Sequence, residues 1–120
     1  MPSTLSLTPA GTTVALSVAN AATSATIVSL VPVRSYYVTN TGNSAVQLNF
    51  NPSTMPTAVF ATPGTNQLGI VLGSQDDAVI NIPAALSTAT QNGFVTSIYL
   101  SAISTSSTAN SVYITPVQAN

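Results

Sequence analysis

Apolar and polar residues alternate along most of this chain with a period of two. Val46, Leu48 and Phe50 share one phase, and Gln47 and Asn49 share the other. That is the pattern of a strand with one dry face and one wet face. It recurs at Val14, Leu16 and Val18 against Thr13, Ala15 and Ser17, and at Ile98, Leu100 and Ala102 against Tyr99, Ser101 and Ile103. Pro, Gly, Asn and Asp punctuate the runs at residues 9–11, 40–44, 51–56, 63–66 and 73–77, the residue types that turns require. The spacing predicts strands over residues 1–8, 12–18, 25–31, 35–39, 45–50, 67–72, 78–82, 94–104 and 111–117, with a short apolar run at 57–62.

Several segments carry finer expectations. Residues 35–39 and 45–50 flank an Asn/Gly-rich reversal and read as a central hairpin. Residues 20–24 read as a loop. Ile27, Val28, Leu30 and Val31 are too dense for clean alternation, as in a strand covered on both faces. Pro32 then marks an edge position or a bend. Leu68, Ile70 and Leu72 fall in phase, as do Ile80 and Ile82, and residues 83–91 suit one helical turn at most. The fold class predicted is all-β: an antiparallel β-sandwich, jelly-roll-like, of about eight to ten short strands with little or no helix. Val46, Leu48, Phe50, Ile70, Ile80, Ile98, Leu100 and Ile114 are the expected core.

Composition narrows the chemistry. In 120 residues the only charged side chains are Arg34, Asp76 and Asp77, and Lys, Glu, His, Cys and Trp are absent. Ser, Thr, Asn and Gln supply 49 residues, so hydroxyls and amides must solvate the surface. One cation cannot neutralise a run of phosphates, which argues against nucleic acid and anionic membranes as partners. Without His or Cys no ordinary zinc or iron site and no Ser–His or Cys nucleophile forms, so no cofactor and no enzymatic role are expected. No apolar stretch approaches the length of a membrane-spanning helix, and the first residues lack the basic and apolar regions of a secretory signal.

Few side chains stand out as site candidates. Asp76 and Asp77 offer two carboxylates on a turn, too few for a calcium ion without carbonyls and waters, and read first as a solvated turn. Arg34 is the only cation, expected either to pair with Asp76 or Asp77, within a subunit or across an interface, or to sit exposed at a rim. Tyr36, Tyr37, Tyr99 and Tyr113 are candidates for sheet margins or interfaces; Tyr36 and Tyr37 must face opposite ways, so at most one of them joins a sugar-stacking platform. Arg34, Tyr36, Tyr37, Asp76, Asp77 and Tyr99 are therefore the interface candidates, with no catalytic, cofactor or metal residue among them. Low charge on strand edges that lack Lys favours closed self-association, with residues 3–18 expected to cross between subunits.

Residues 36–50, YYVTNTGNSAVQLNF, resemble a pattern of small virion proteins of tailed bacteriophages. In that pattern a strand ending in Val-x-Asn-x-Gly or similar runs through a hairpin into Val-x-Leu/Val-x-Phe. Residues 69–73, GIVLG, and the closing pair VTSIYLSAIST and ANSVYITPV resemble the same proteins' small-residue turn and terminal hairpin, so the likeness spans residues 34–117. The resemblance implies a head decoration (cement) protein: a β-sandwich, often trimeric, that sits on the virion capsid, stabilises it by bridging major capsid protein subunits, and is made in the host cytoplasm. Residues 1–33 fall outside it and are expected to be N-terminal strands or an arm beside a body at 34–120, one domain in all. The alternative is a tail-fibre or host-attachment module that binds carbohydrate.

Overall fold

A computed structural model describes residues 7–51, 54–61, 64, 69–81 and 95–119. Among them are nine strands and no helix: β1 (Leu7–Pro9), β2 (Val14–Val18), β3 (Thr23–Val33), β4 (Ser35–Asn40), β5 (Val46–Asn51), β6 (Ile70–Leu72), β7 (Asp77–Asn81), β8 (Val95–Ser104) and β9 (Asn110–Ala119). They form two antiparallel sheets packed face to face. The five-stranded sheet runs β1-β9-β4-β7, with β2 also on β9, and the four-stranded sheet runs β3-β8-β5-β6.

The pairing has a simple logic. β1 and β2 lie end to end along β9, so they act as one strand broken at residues 10–13. The partners are then first with last, β3 with β8, β4 with β7, and β5 with β6. A long hairpin with its tip between β5 and β6, rolled up on itself, gives this order, which is that of a jelly roll. Residues 7–33 supply strands to both sheets.

The inward phases meet in one core. Leu16, Val18, Val38, Val112 and Ile114 come from the five-stranded sheet, and Ile27, Val46, Leu48, Ile98, Leu100 and Ala102 from the other. Tyr36 joins them, its ring stacked on Phe50 at a centroid distance of 5.8 Å. Of the expected core residues all are buried except Ile70, which is 46% exposed. Ile70 shares the phase of its partner Leu48, but it is the first residue of a three-residue edge strand and sits at the margin of the core.

Expectations about pairing and cover are also corrected. β4 and β5 do not form a hairpin: β4 belongs to the five-stranded sheet and β5 to the four-stranded one, so residues 41–45 arch between the layers. The closing pair β8 and β9 is split between the sheets in the same way. The reversal chemistry was correctly placed, but alternation alone does not say which strand a reversal delivers the chain to. Residues 25–31 are not covered on both faces. β3 is an edge strand that starts at Thr23, inside the expected loop, and its pairing with β8 is interrupted between Val28 and Val33. There the Leu30 N–H turns to the Ala10 carbonyl (2.7 Å) instead, and Val28, Leu30 and Val31 face solvent, Leu30 at 87%. Pro32, with no N–H to give, lies in this interruption. Residues 57–61 form no strand. The helical turn at 83–91 and the placements of Leu5, Leu68 and Ile82 lie outside the described residues.

Candidate functional site

The loops at one end of the roll are bound together by buried asparagines. Asn40 ends β4 and Asn110 begins β9, each in the inward phase of its strand. Asn40 Nδ2 donates to the Ser44 carbonyl (2.8 Å) and the Gly73 carbonyl (3.0 Å), while its Oδ1 accepts the Gly42 N–H. Asn110 Oδ1 accepts the Ser44 N–H, and its Nδ2 donates to the Val18 carbonyl and to Ser104 Oγ. Two side chains thereby satisfy backbone groups of the 41–45 arch and the 73–76 turn, and of the end of β2, which would otherwise be buried without partners. Among the described residues no buried side-chain nitrogen or oxygen lacks a partner. Gly42 is required here, since a Cβ would land on the Asn110 side chain. The resulting groove, about 400 Å³ and lined by Thr41, Asn43, Ser44, Ser106 and Thr108 among others, carries neither charge nor aromatic ring.

The outer faces of the two sheets are unlike. On the four-stranded sheet, residues 54–61 lie across β5 and β8. The Ala58 N–H donates to Ser101 Oγ (2.9 Å) and the Ala61 N–H to Gln47 Oε1 (2.8 Å). Gln47 and Ser101 are consequently buried although their phase points outward. On the five-stranded sheet the register aligns Thr115, Tyr37 and Val79 in one row, and Ala15, Tyr113, Thr39 and Asp77 in the next. Thr13 Oγ1 and Thr115 Oγ1 share a hydrogen bond of 2.7 Å. A groove of about 360 Å³ runs between Tyr37, this threonine pair and Leu7, Pro9 and Val117.

The interface candidates separate on this frame. Tyr36 is a core residue, 1% exposed, and is withdrawn from any surface; burial pushes its hydroxyl up to about 12. Tyr37 is on the outer face, and its hydroxyl donates to Asp77 Oδ2 at 2.5 Å. That bond, more than the partial burial or the nearby negative charge that act in the same direction, raises the Tyr37 pKa above its ordinary value; a hydrogen bond with Thr39 opposes it. Asp76 serves its own turn, its Oδ1 accepting the Asp77 N–H and its carbonyl accepting the Asn40 N–H. Arg34 precedes the Ser35↔Asn81 pair, whereas Asp77 lies opposite Thr39, about 17 Å along the ladder at the ordinary strand rise. Arg34 and Asp77 are therefore not joined within one subunit. Tyr99 is half-buried on the outer face of the other sheet, opposite Thr26 and Asn51.

The side chains of Tyr37 and Asp77 are thus brought together. Tyr113, weighed with the other tyrosines but absent from the interface candidates, is the second ring of the Tyr37 face; the β4–β9 pairing that places it there links residues far apart in the chain. The sequence reading missed Asn40 and Asn110, although both stand in phase with apolar residues at a strand end, a signal that they point inward. No group of three or more metal-ligating side chains occurs among the described residues. The chain matches no protein-family model and no curated protein.

Proposed function

We propose that the chain is a structural virion protein that decorates a bacteriophage capsid and stabilises it by bridging major capsid subunits, acting as a closed homo-oligomer, a trimer. The observation that carries this reading is the placement of the exposed apolar side chains. Val28, Leu30 and Val31 lie on edge strand β3, Ile70 and Val71 on edge strand β6, and Val79 on edge strand β7. Soluble monomers guard such edges with Lys, Pro, bulges or inward-pointing charge. β3 carries Pro32 and a break in its pairing and β7 carries Asp77, but β6 has no such guard, and this chain has three charged side chains in all. Edges of this kind suit cover by other protein surfaces.

The likeness of residues 34–117 to small phage virion proteins supplies the kind of partner. β1 and β2 pair with β9 of their own chain and form the outer edge of the five-stranded sheet, so the edges open to intersubunit contacts are β1 with β2, β3, β6 and β7. Contacts of this sort act through shape, apolar cover and backbone hydrogen bonds, with little salt dependence. The test is occupancy: purified protein added to undecorated heads is expected to label them stoichiometrically, at both low and high ionic strength. Heads that stay bare, or labelling that collapses as salt rises, would overturn the proposal.

A further inference from the structure

The outer face of the five-stranded sheet combines features that capsid bridging does not use. Tyr37 is tethered by its hydroxyl to Asp77, an exposed bond that favours the ring position forming one wall of the groove. Leu7, Pro9 and Val117 continue the apolar lining of the 360 Å³ groove beside it. The Thr13–Thr115 hydroxyl pair forms the polar part of the lining. That pair consumes one O–H in its own bond and keeps the other, with most of its lone pairs, for a ligand. The groove volume falls within the roughly 300–1,000 Å³ of small-molecule sites.

A ligand that fits must be amphipathic and uncharged. No cation lines the groove to receive an anion, and the one nearby carboxylate already accepts from Tyr37. A pyranose ring meets these terms, laying its C–H face on Tyr37 or the apolar wall and exchanging hydroxyl hydrogen bonds with Thr13 and Thr115. Tyr113 extends the same face. It stands diagonal to Tyr37 across the β4–β9 pairing, at about 7–8 Å between backbones, so the surface is longer than one sugar. We propose that this groove and the adjoining Tyr113 bind a neutral oligosaccharide. Preorganisation of Tyr37 by Asp77 lowers the cost of binding.

This inference stands independently of the capsid reading. The full chain is applied to an array of gluco-, manno-, galacto- and N-acetylglucosamine-configured hexamers, beside sialylated and sulfated glycans. Hits are titrated through tyrosine fluorescence, which no tryptophan obscures. Binding to a neutral hexamer is expected, weakened about ten-fold by Tyr37→Ala and about three-fold by Tyr113→Ala or Thr115→Val, with Ser17→Ala unchanged. Thermal melting accompanies each variant, and Thr115→Val carries the test if Tyr37→Ala loses its fold. Silence on the neutral glycans, binding to acidic glycans alone, or full binding by folded Tyr37→Ala and Thr115→Val would overturn the site. An array without hits leaves decoration of heads standing, and bare heads leave the glycan site standing.

Discussion

Gln47 and Ser101 on one sheet and Tyr37 and Thr39 on the other all occupy outward phases of their strands, yet the first two are sealed and the second two meet solvent. Side-chain chemistry does not make the difference. Residues 54–61 cross the four-stranded sheet and bring two backbone N–H groups that need acceptors, and Gln47 and Ser101 provide them. No such donors arrive on the five-stranded sheet among the described residues, and there the polar side chains bond one another: Thr13 with Thr115, Ser35 with Asn81, and Tyr37 with Asp77. An outward polar residue can therefore act as an anchor for a covering segment or as part of an open surface. The backbone that arrives decides which.

The inner faces show no such contrast, which gives the largest expected effect. Leu48→Ala and Leu100→Ala, from the four-stranded sheet, and Ile114→Ala, from the five-stranded one, each empty a fully buried position. Each should cost about 2–5 kcal/mol in a urea unfolding titration. A melt close to wild type for one sheet's variant alone would mean that the two inner faces are not one core.

Tyr36 gives the next effect, in alkali. Its hydroxyl is neutral when protonated, and burial raises its pKa from 10.0 to about 12. The folded chain holds this proton more tightly than the unfolded chain does. The stability it contributes is therefore fully present below pH 10 and is lost as pH rises toward 12, a fall of about 3 kcal/mol at the usual conversion. Tyr36→Phe should flatten that alkaline limb. A limb equally steep in the variant would assign the loss to another group.

The two outer faces are compared directly by removing one polar group from each. Gln47→Ala strands the Ala61 N–H and Ser101→Ala strands the Ala58 N–H. Ser101→Ala should cost about 1–3 kcal/mol, the penalty for a buried donor left unpaired, and Gln47→Ala about 1 kcal/mol, since the Ala61 N–H is only part-buried. Ser17→Ala, on the open face, should fall within about 0.5 kcal/mol of wild type. Equal costs on both faces would break the distinction between anchor and open surface.

The sandwich was legible because a period of two survives in almost every strand and turn residues mark the gaps. Leu48, Leu100 and Ile114 were placed inward by phase alone, and correctly so. Phase carries no information on which strands pair, so the 41–45 and 105–109 connections were read as hairpins although they arch between sheets. Phase also fails at margins: Ile70 and Val28 are apolar but lie on edge strands. Burial of Gln47 was hidden for a related reason, since its cover comes from residues with no regular pattern. The meeting of Tyr37 with Asp77 spans 40 residues and follows from the β4–β7 register, which no local motif encodes.

The smallest effect separates Tyr36 from Tyr37, neighbours on one strand whose pKa values are both raised for different reasons. For Tyr36 the cause is burial, and for Tyr37 it is first the bond to Asp77. Asp77→Asn should therefore lower the Tyr37 pKa toward 10.0 and leave Tyr36 near 12, as read from the ultraviolet absorbance of tyrosinate at pH values where the fold persists. In the native chain the Tyr37 contribution has the same sign as that of Tyr36, present below pH 10.0 and lost as pH rises. It should be far smaller in stability, because the pair lies in solvent and water replaces the bond on opening. Asp77→Asn is accordingly expected to change the urea midpoint little, by about 0.5 kcal/mol or less. If the substitution instead left both titrations in place, the Tyr37 ring would not be tethered by Asp77, and the bias toward the groove-wall position proposed for the sugar site would lose its support.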